Sequence, residues 1–172
     1  ALYRPFTKSF LYFDRSFNNR VYQFPAIFPT PATESENRVI CVKGIGMNQP
    51  FFALMASVIP DIQLTPNGQC FPFYTYSEDG SHRQENLTDW ALTTFQRPYR
   101  RRKLTKWDIF YYVYGLLHHP TYRDKYAANL KRELPKIPLS PDFWTISQLG
   151  KQLADLHLNY EQQLEYPLQK VA

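Results

Sequence analysis

The chain is poor in cysteine, in long apolar runs and in the glycine-rich signatures of nucleotide sites, and each shortage removes a class of function. Two cysteines, Cys41 and Cys70, are too few for a disulfide scaffold and lack the spacing of a metal site. Both lie in strand-like, apolar surroundings, which reads as buried, reduced cysteines in a cytoplasmic protein. No apolar run reaches the roughly 18 residues of a membrane-crossing helix. The opening ALYRPFTKSF has neither an initiator methionine nor the apolar core of a signal segment, and it reads as a cut inside a longer protein. No GxxxxGK[ST] phosphate loop is present. Gly44-Ile45-Gly46 is only a fragment of a dinucleotide fingerprint, with Gln49 where the third glycine belongs and Pro50 after it. It reads as a turn between strands.

What the chain has in quantity is aromatic and basic. Tyr and Phe each occur 13 times and aromatics make up 17% of the residues, which supplies both a core and flat contact surfaces. The length of 172 residues fits one domain or two small lobes. The net charge is +5, with a pI near 9.2. Charge indicates a partner only where it clusters. Here Arg97, Arg100, Arg101, Arg102, Lys103 and Lys106 fall together in a stretch without an acid.

Composition changes near residue 85. Before it, Val, Ile, Phe and Tyr dominate short runs at residues 10–13, 20–24, 38–42, 51–56 and 71–76, separated by turn residues, which predicts strands. The proline inside the last run suggests an edge or strand end. Residues 29–37 read as a polar loop and 77–84 as a hinge. After residue 85 the pattern is helical, over residues 88–95, 105–118, 121–134 and 141–160. Thr105 with Asp108, and Thr121 with Asp124, pair a capping hydroxyl with a carboxylate three residues on, while Pro120 and Pro135 stop what each pair begins. In the last helix Ser140 is the expected cap and Pro141 the first residue, with Ile146, Leu149, Leu153, Leu156 and Tyr160 as the apolar stripe. The expected fold is α+β: a β-rich lobe over residues 1–84 packed on a helical lobe over 85–172.

Two clusters suggest chemistry but have plainer readings. His118-His119 point about 100° apart on a helix and rarely share one ion, so they read as imidazoles serving the helix C-terminus before Pro120. Glu78 and Asp79 sit in Ser77-Glu78-Asp79-Gly80, the composition of a solvated turn. No catalytic constellation emerges, so the chain is expected to be a non-catalytic module that binds no cofactor and no metal.

Three runs carry a family resemblance: FLYFDRSFNNRVYQ (10–23), WDIFYYVYGLLHHPTYRDKYAANLKRELPKIP (107–138) and PDFWTISQLGKQLADLHLNYE (141–161). Together they resemble the C-terminal specificity (target recognition) domain of type ISP restriction–modification enzymes and related helicase–methyltransferase proteins, over residues 3 to about 168. The resemblance implies a parent with nuclease, helicase-like and N6-adenine methyltransferase parts that uses ATP, Mg²⁺ and S-adenosylmethionine. The Asn-Pro-Pro-aromatic methyltransferase motif and a nuclease core are absent from this chain. The implied role is recognition of double-stranded DNA beside an adjoining methyltransferase domain, with no membrane involved. Tyr3-Arg4-Pro5-Phe6 is similar to a YRPFD-like junction in such methyltransferases. Thr7 stands in the acid's place, and Tyr3–Phe6 reads as junction packing.

On that reading, the cluster from Arg97 to Lys106 lies on a loop between helices and suits DNA phosphates. Arg15, Asn18, Asn19 and Arg20 form a kit for base edges, because Arg reads guanine and Asn reads adenine through paired hydrogen bonds. They equally make an ordinary turn, and a run shared across a family more naturally supports the scaffold. The amides Asn48, Gln49, Asn67 and Gln69, on polar loops beside strands, are the remaining candidate readers. Two rival roles stay open: a docking domain that touches no DNA, and a single-strand binder that stacks bases on Tyr and Phe.

Overall fold

The computed structural model describes residues 1–46, 49–61, 63–65, 67–100, 102–164 and 167. Its centre is an antiparallel sheet of β3 (Val39–Val42), β4 (Ala53–Ala56) and β5 (Gln69–Pro72), in the order β4-β3-β5. Before it come the hairpin β1 (Leu2–Arg4) and β2 (Thr7–Lys8) and the short helices α1 (Phe24–Ile27) and α2 (Pro31–Glu36). After it come the β6 (Tyr74–Thr75) and β7 (Gln84–Glu85) pair, then α3 (Asp89–Gln96), α4 (Lys106–His118), α5 (Pro120–Lys125) and α6 (Phe143–Leu158).

Strands β3 and β4 are buried on both faces, which is why VICV and ALMA are unbroken apolar runs rather than alternating ones. Ile40, Val42, Ala53 and Met55 face the helices, where Ile109, Phe110, Tyr114, Phe143 and Ala154 complete one core. Val39, Cys41, Leu54 and Ala56 face the other way and meet Leu2, Ile27, Phe28 and Leu64. Strands lie in the N-terminal half and the longer helices in the C-terminal half, and the sheet and those helices share a core. Asn37, fully buried, ties this together. Its amide donates to the Ile27 and Tyr74 carbonyls, and its Oδ1 accepts from the Arg38 and Tyr74 N–H groups, all at 2.9 Å.

Four expectations need correction. Residues 10–13 and 20–24 are not strands: the first lie in an exposed irregular segment and the second turn into α1. Phe10, Leu11, Tyr12, Phe17 and Tyr22 are exposed, while Phe13 and Phe24 pack partly against the core. The expected loop 29–37 contains α2, started by Pro31 and a capping box in which Thr33 Oγ1 accepts from the Thr30 N–H at 3.4 Å. The third helix spans only Pro120–Lys125: Pro120 opens it, His119 is its cap, and Thr121 with Asp124 caps nothing. Hydrogen-bonded turns follow, in which the Asn129 carbonyl accepts from both Arg132 and Glu133.

The fourth correction concerns α6, which starts at Phe143 with Asp142 as its cap residue. Ser140 Oγ instead accepts from the Asp142 N–H at 3.2 Å, and Pro141 lies in the preceding turn. The face against α4 is Phe143, Ser147, Gly150 and Ala154, while Leu149 and Leu156 of the predicted stripe are 57% and 47% exposed. Small residues win because the helices cross almost backbone to backbone. A Cβ on Gly150 would stand 2.0 Å from the Tyr111 carbonyl oxygen. The start of α4, by contrast, follows the sequence: Thr105 Oγ1 accepts from the Asp108 N–H, and Asp108 accepts from the Thr105 N–H at 2.8 Å.

Between the helices, the irregular segment 134–140 is held by tyrosines. Tyr122, Tyr112 and Tyr99 donate their hydroxyls to the carbonyls of Lys136, Pro138 and Ser140 in turn. Two prolines, Pro135 and Pro138, remove N–H groups there, so carbonyls are what need partners.

Candidate nucleic-acid interface

Loop 9–23 is shaped by Asp14. Its Oδ1 accepts from the Ser16 N–H at 2.7 Å, and its carbonyl accepts from the N–H of Phe17 and of Asn18. The Asn18 amide donates to the carbonyls of Tyr12 and Asp14, so Asn18 builds the turn. Arg15 is drawn to the Glu78 carboxylate. Asn19 is exposed but lies outside the cleft described next. Positive φ falls not on an asparagine here but on Arg20 (59°) and Tyr22 (50°), conformations uncommon for side-chain-bearing residues. Arg20 and Tyr22 both line a cleft of about 620 Å³.

Gln63, Asn67, Gln69, Cys41 and Cys70 line the same cleft. Gln63 is fixed by its N–H donating to Asp61 Oδ1 at 2.7 Å. Asn67 takes φ 46° and lies so close to Gly44 that a Cβ there would meet the Asn67 carbonyl oxygen at 2.0 Å. Gly44 of the predicted turn is therefore where the chain packs against the Asn67 backbone. Three predicted readers, Arg20, Asn67 and Gln69, thus converge. Gln63 was missed, although its amide beside the 65–69 loop was the available signal. Gln49 does not line the cleft; its carbonyl accepts from the buried Lys43 ammonium at 2.6 Å. Asn48 and Arg101 lie outside the described residues.

The basic loop is pinned by one side chain. Gln96 donates to the carbonyls of Tyr99 and Arg102 and accepts from the Leu104 N–H. Arg97, Arg100, Arg102 and Lys103 are exposed, with the Arg102 guanidinium 4.2 Å above the Trp144 ring. Lys106 departs from the group. Its side chain is 13% exposed and its ammonium lies 2.7 Å from Asp89 and 3.1 Å from Glu85, carboxylates that the tertiary fold brings to it. The hydrogen bond to Asp89 raises the Lys106 pKa. Tyr99 stacks on Phe143 and packs inward. None of the described loop residues lines the cleft.

The Type ISP C-terminal specificity domain model matches residues 1–172. The chain belongs to that family. This specificity domain is similar to part of DrdV in its cryoEM complex with DNA: 42% identity and a TM-score of 0.88 over 96% of this chain and 16% of that one. It is also similar to a nuclease-deletion mutant of the Type ISP restriction-modification enzyme LlaGI with a DNA substrate mimic (34%, TM-score 0.78, 96% of this chain and 14% of that one). For the ATP-dependent Type ISP enzyme LlaBIII bound to DNA the values are 32%, 0.82, 95% and 11%. The chain therefore spans a sixth or less of those proteins. No curated protein matches it in sequence.

Within the specificity domain His118 behaves differently from expectation. His118 does not serve the end of α4 as a cation. Arg123 does, donating from Nε to the Leu117 carbonyl at 2.7 Å. His118 packs on Tyr114 and His157, and its Nε2 is buried without a hydrogen-bond partner. Burial, then the charges of Arg123 and His157, lowers its pKa to about 4. Among the described residues no group of three or more His, Cys, Asp or Glu is placed to hold a metal ion, and no helix is long and apolar enough to cross a membrane. The Ser77–Gly80 segment is the expected turn, with Gly80 at φ 85° and Asp79 accepting from the Ser81 N–H.

Proposed function

We propose that this domain reads a double-stranded DNA sequence for a Type ISP restriction–modification enzyme and presents the target adenine to an adjoining N6-adenine methyltransferase. The observation that carries the proposal is the whole-chain family match, joined to relatives solved with DNA. Arg20, Gln63, Asn67 and Gln69 in the cleft supply the donors and acceptors that base edges require. Arg97, Arg100, Arg102 and Lys103, joined by Arg101, supply charge for phosphates, which fix register without reading sequence. The methyltransferase would flip the adenine from the stack with S-adenosylmethionine held in its own domain, and the motor of the parent would use ATP and Mg²⁺. This domain itself carries out recognition rather than catalysis, in the cytoplasm where such parents meet DNA.

A docking role accompanies this reading rather than replacing it. The exposed aromatics Phe10, Tyr12 and Phe17 form the kind of apolar surface that a neighbouring domain covers. Single-strand stacking is the weaker reading, because Tyr99 beside the basic loop is turned into the core. The test is retention of a randomised duplex pool at two salt concentrations, followed by sequencing. Enrichment of one asymmetric site is the expected result. Retention without enrichment, or preference for single strands, would overturn it.

A further inference from the structure

The antiparallel register sets Cys41 of β3 opposite Cys70 of β5, and their sulfurs stand 3.4 Å apart in a hydrogen bond. Cys41 is sealed in the core at 1% exposure, whereas Cys70 is only half-buried, and both line the cleft that Arg20 and Gln69 also line. Directly opposed residues of an antiparallel pair have Cα atoms about 4.5–5.5 Å apart, inside the roughly 4.4–6.8 Å that a disulfide spans. We propose that Cys70 is a modification site for hydroperoxides, with Cys41 as its resolving thiol, so that the pair closes to a cross-strand disulfide in the wall of the cleft.

The chemistry balances without a further reactant. The Cys70 thiolate attacks one peroxide oxygen, the O–O bond breaks, and the other oxygen leaves as hydroxide or alkoxide, giving Cys70 sulfenic acid. Cys41 then attacks the sulfenic sulfur and water leaves, so the two sulfurs together lose two electrons to one peroxide. The division of labour follows from access and charge. Only Cys70 has a partly open path, and the hydrogen bond from Cys41 lowers its pKa, while that bond and burial push Cys41 well up and keep it a thiol. This chemistry is independent of what the cleft reads.

The test uses the reduced, intact 172-residue chain treated with one equivalent of hydrogen peroxide and digested without reductant. The expected product is a Cys41–Cys70 cross-linked peptide, lighter by two hydrogens than its reduced parts. In Cys41→Ser the sulfenic acid at Cys70 persists and is captured by dimedone; in Cys70→Ser no capture occurs. A measurement on the unsubstituted chain avoids reliance on variant folding: brief iodoacetamide treatment should modify Cys70 about tenfold faster than Cys41. Equal alkylation of the two thiols would overturn the proposal. So would thiols that survive peroxide until urea is added, or disulfides formed only between chains.

Discussion

Protonating His118 would place a second cation against Arg123, whose guanidinium lies 3.3 Å from His118 Nδ1, with His157 and the Tyr114 ring also packed on it. The folded chain therefore refuses a proton until about pH 4, whereas the unfolded chain accepts one from about pH 6.5 downward. Because the unfolded state binds more protons in between, stability is full above about pH 6.5 and falls as pH drops toward about 4. Allowing for partial exposure, the loss attributable to His118 is about 2 kcal/mol. Urea midpoints at about pH 7 and pH 4.5 should fall further for the parent than for His118→Phe, with His157, also held low by burial, supplying part of the remainder. Identical pH dependence in the two proteins would remove His118 from this role. Its position in a last helical turn was legible in the sequence; the arginine that displaces it from the carbonyl was not.

At the scale of elements, the crossing of α4 and α6 rests on Gly115 and Gly150. A Cβ on Gly150 would lie 2.7 Å from the Gly115 nitrogen as well as against the Tyr111 carbonyl, and backbone cannot rotate aside as a side chain can. Gly150→Ala should therefore destabilise by about 2 kcal/mol in spite of alanine's better helix propensity, read as a lower urea midpoint. Leu149→Ala, on the exposed face, should change the midpoint little. The loop after α3 makes a different prediction. If Arg97, Arg100, Arg102 and Lys103 each neutralise a phosphate, the log–log salt slope of duplex binding is roughly −3.6, and Lys103→Ala reduces its magnitude by about 0.9. Lys106→Gln should leave the slope unchanged, since that ammonium already serves Asp89 and Glu85. A slope that responds to Lys106 and not to Lys103 would move the phosphate contacts off this loop.

At the scale of the whole molecule, the basic loop and the cleft are separate surfaces, and on the proposed reading the first positions phosphates and the second reads bases. Arg20→Ala should relax preference at one position of the enriched site, costing about 1–3 kcal/mol against the preferred base, while leaving the salt slope nearly intact. Joint replacement of Gln63, Asn67 and Gln69 by alanine should change the enriched sequence more broadly. An unaltered sequence preference in both variants would place the readers elsewhere. Selection from the duplex pool, repeated for each variant, makes the measurement.

The sequence by itself determined what depends on neighbours along the chain. The Thr105–Asp108 cap, the runs that become β3 and β4, the turns at Gly44 and Ser77, the basic loop and the family membership were all readable there. These features arise from local hydrogen bonding, burial pattern and motif, none of which needs a distant contact. Only the tertiary structure decided which side chains converge: Arg20 with Gln63, Asn67 and Gln69 around one cleft, Lys106 with Asp89 and Glu85, Cys41 with Cys70, and Gly115 with Gly150. It also turned residues 10–13 and 20–24 from expected strands into an irregular segment and the approach to a short helix. The reason is that β-propensity specifies a strand only when a partner strand exists to pair with; neither run pairs with one, although Phe13 and Phe24 still pack against the core.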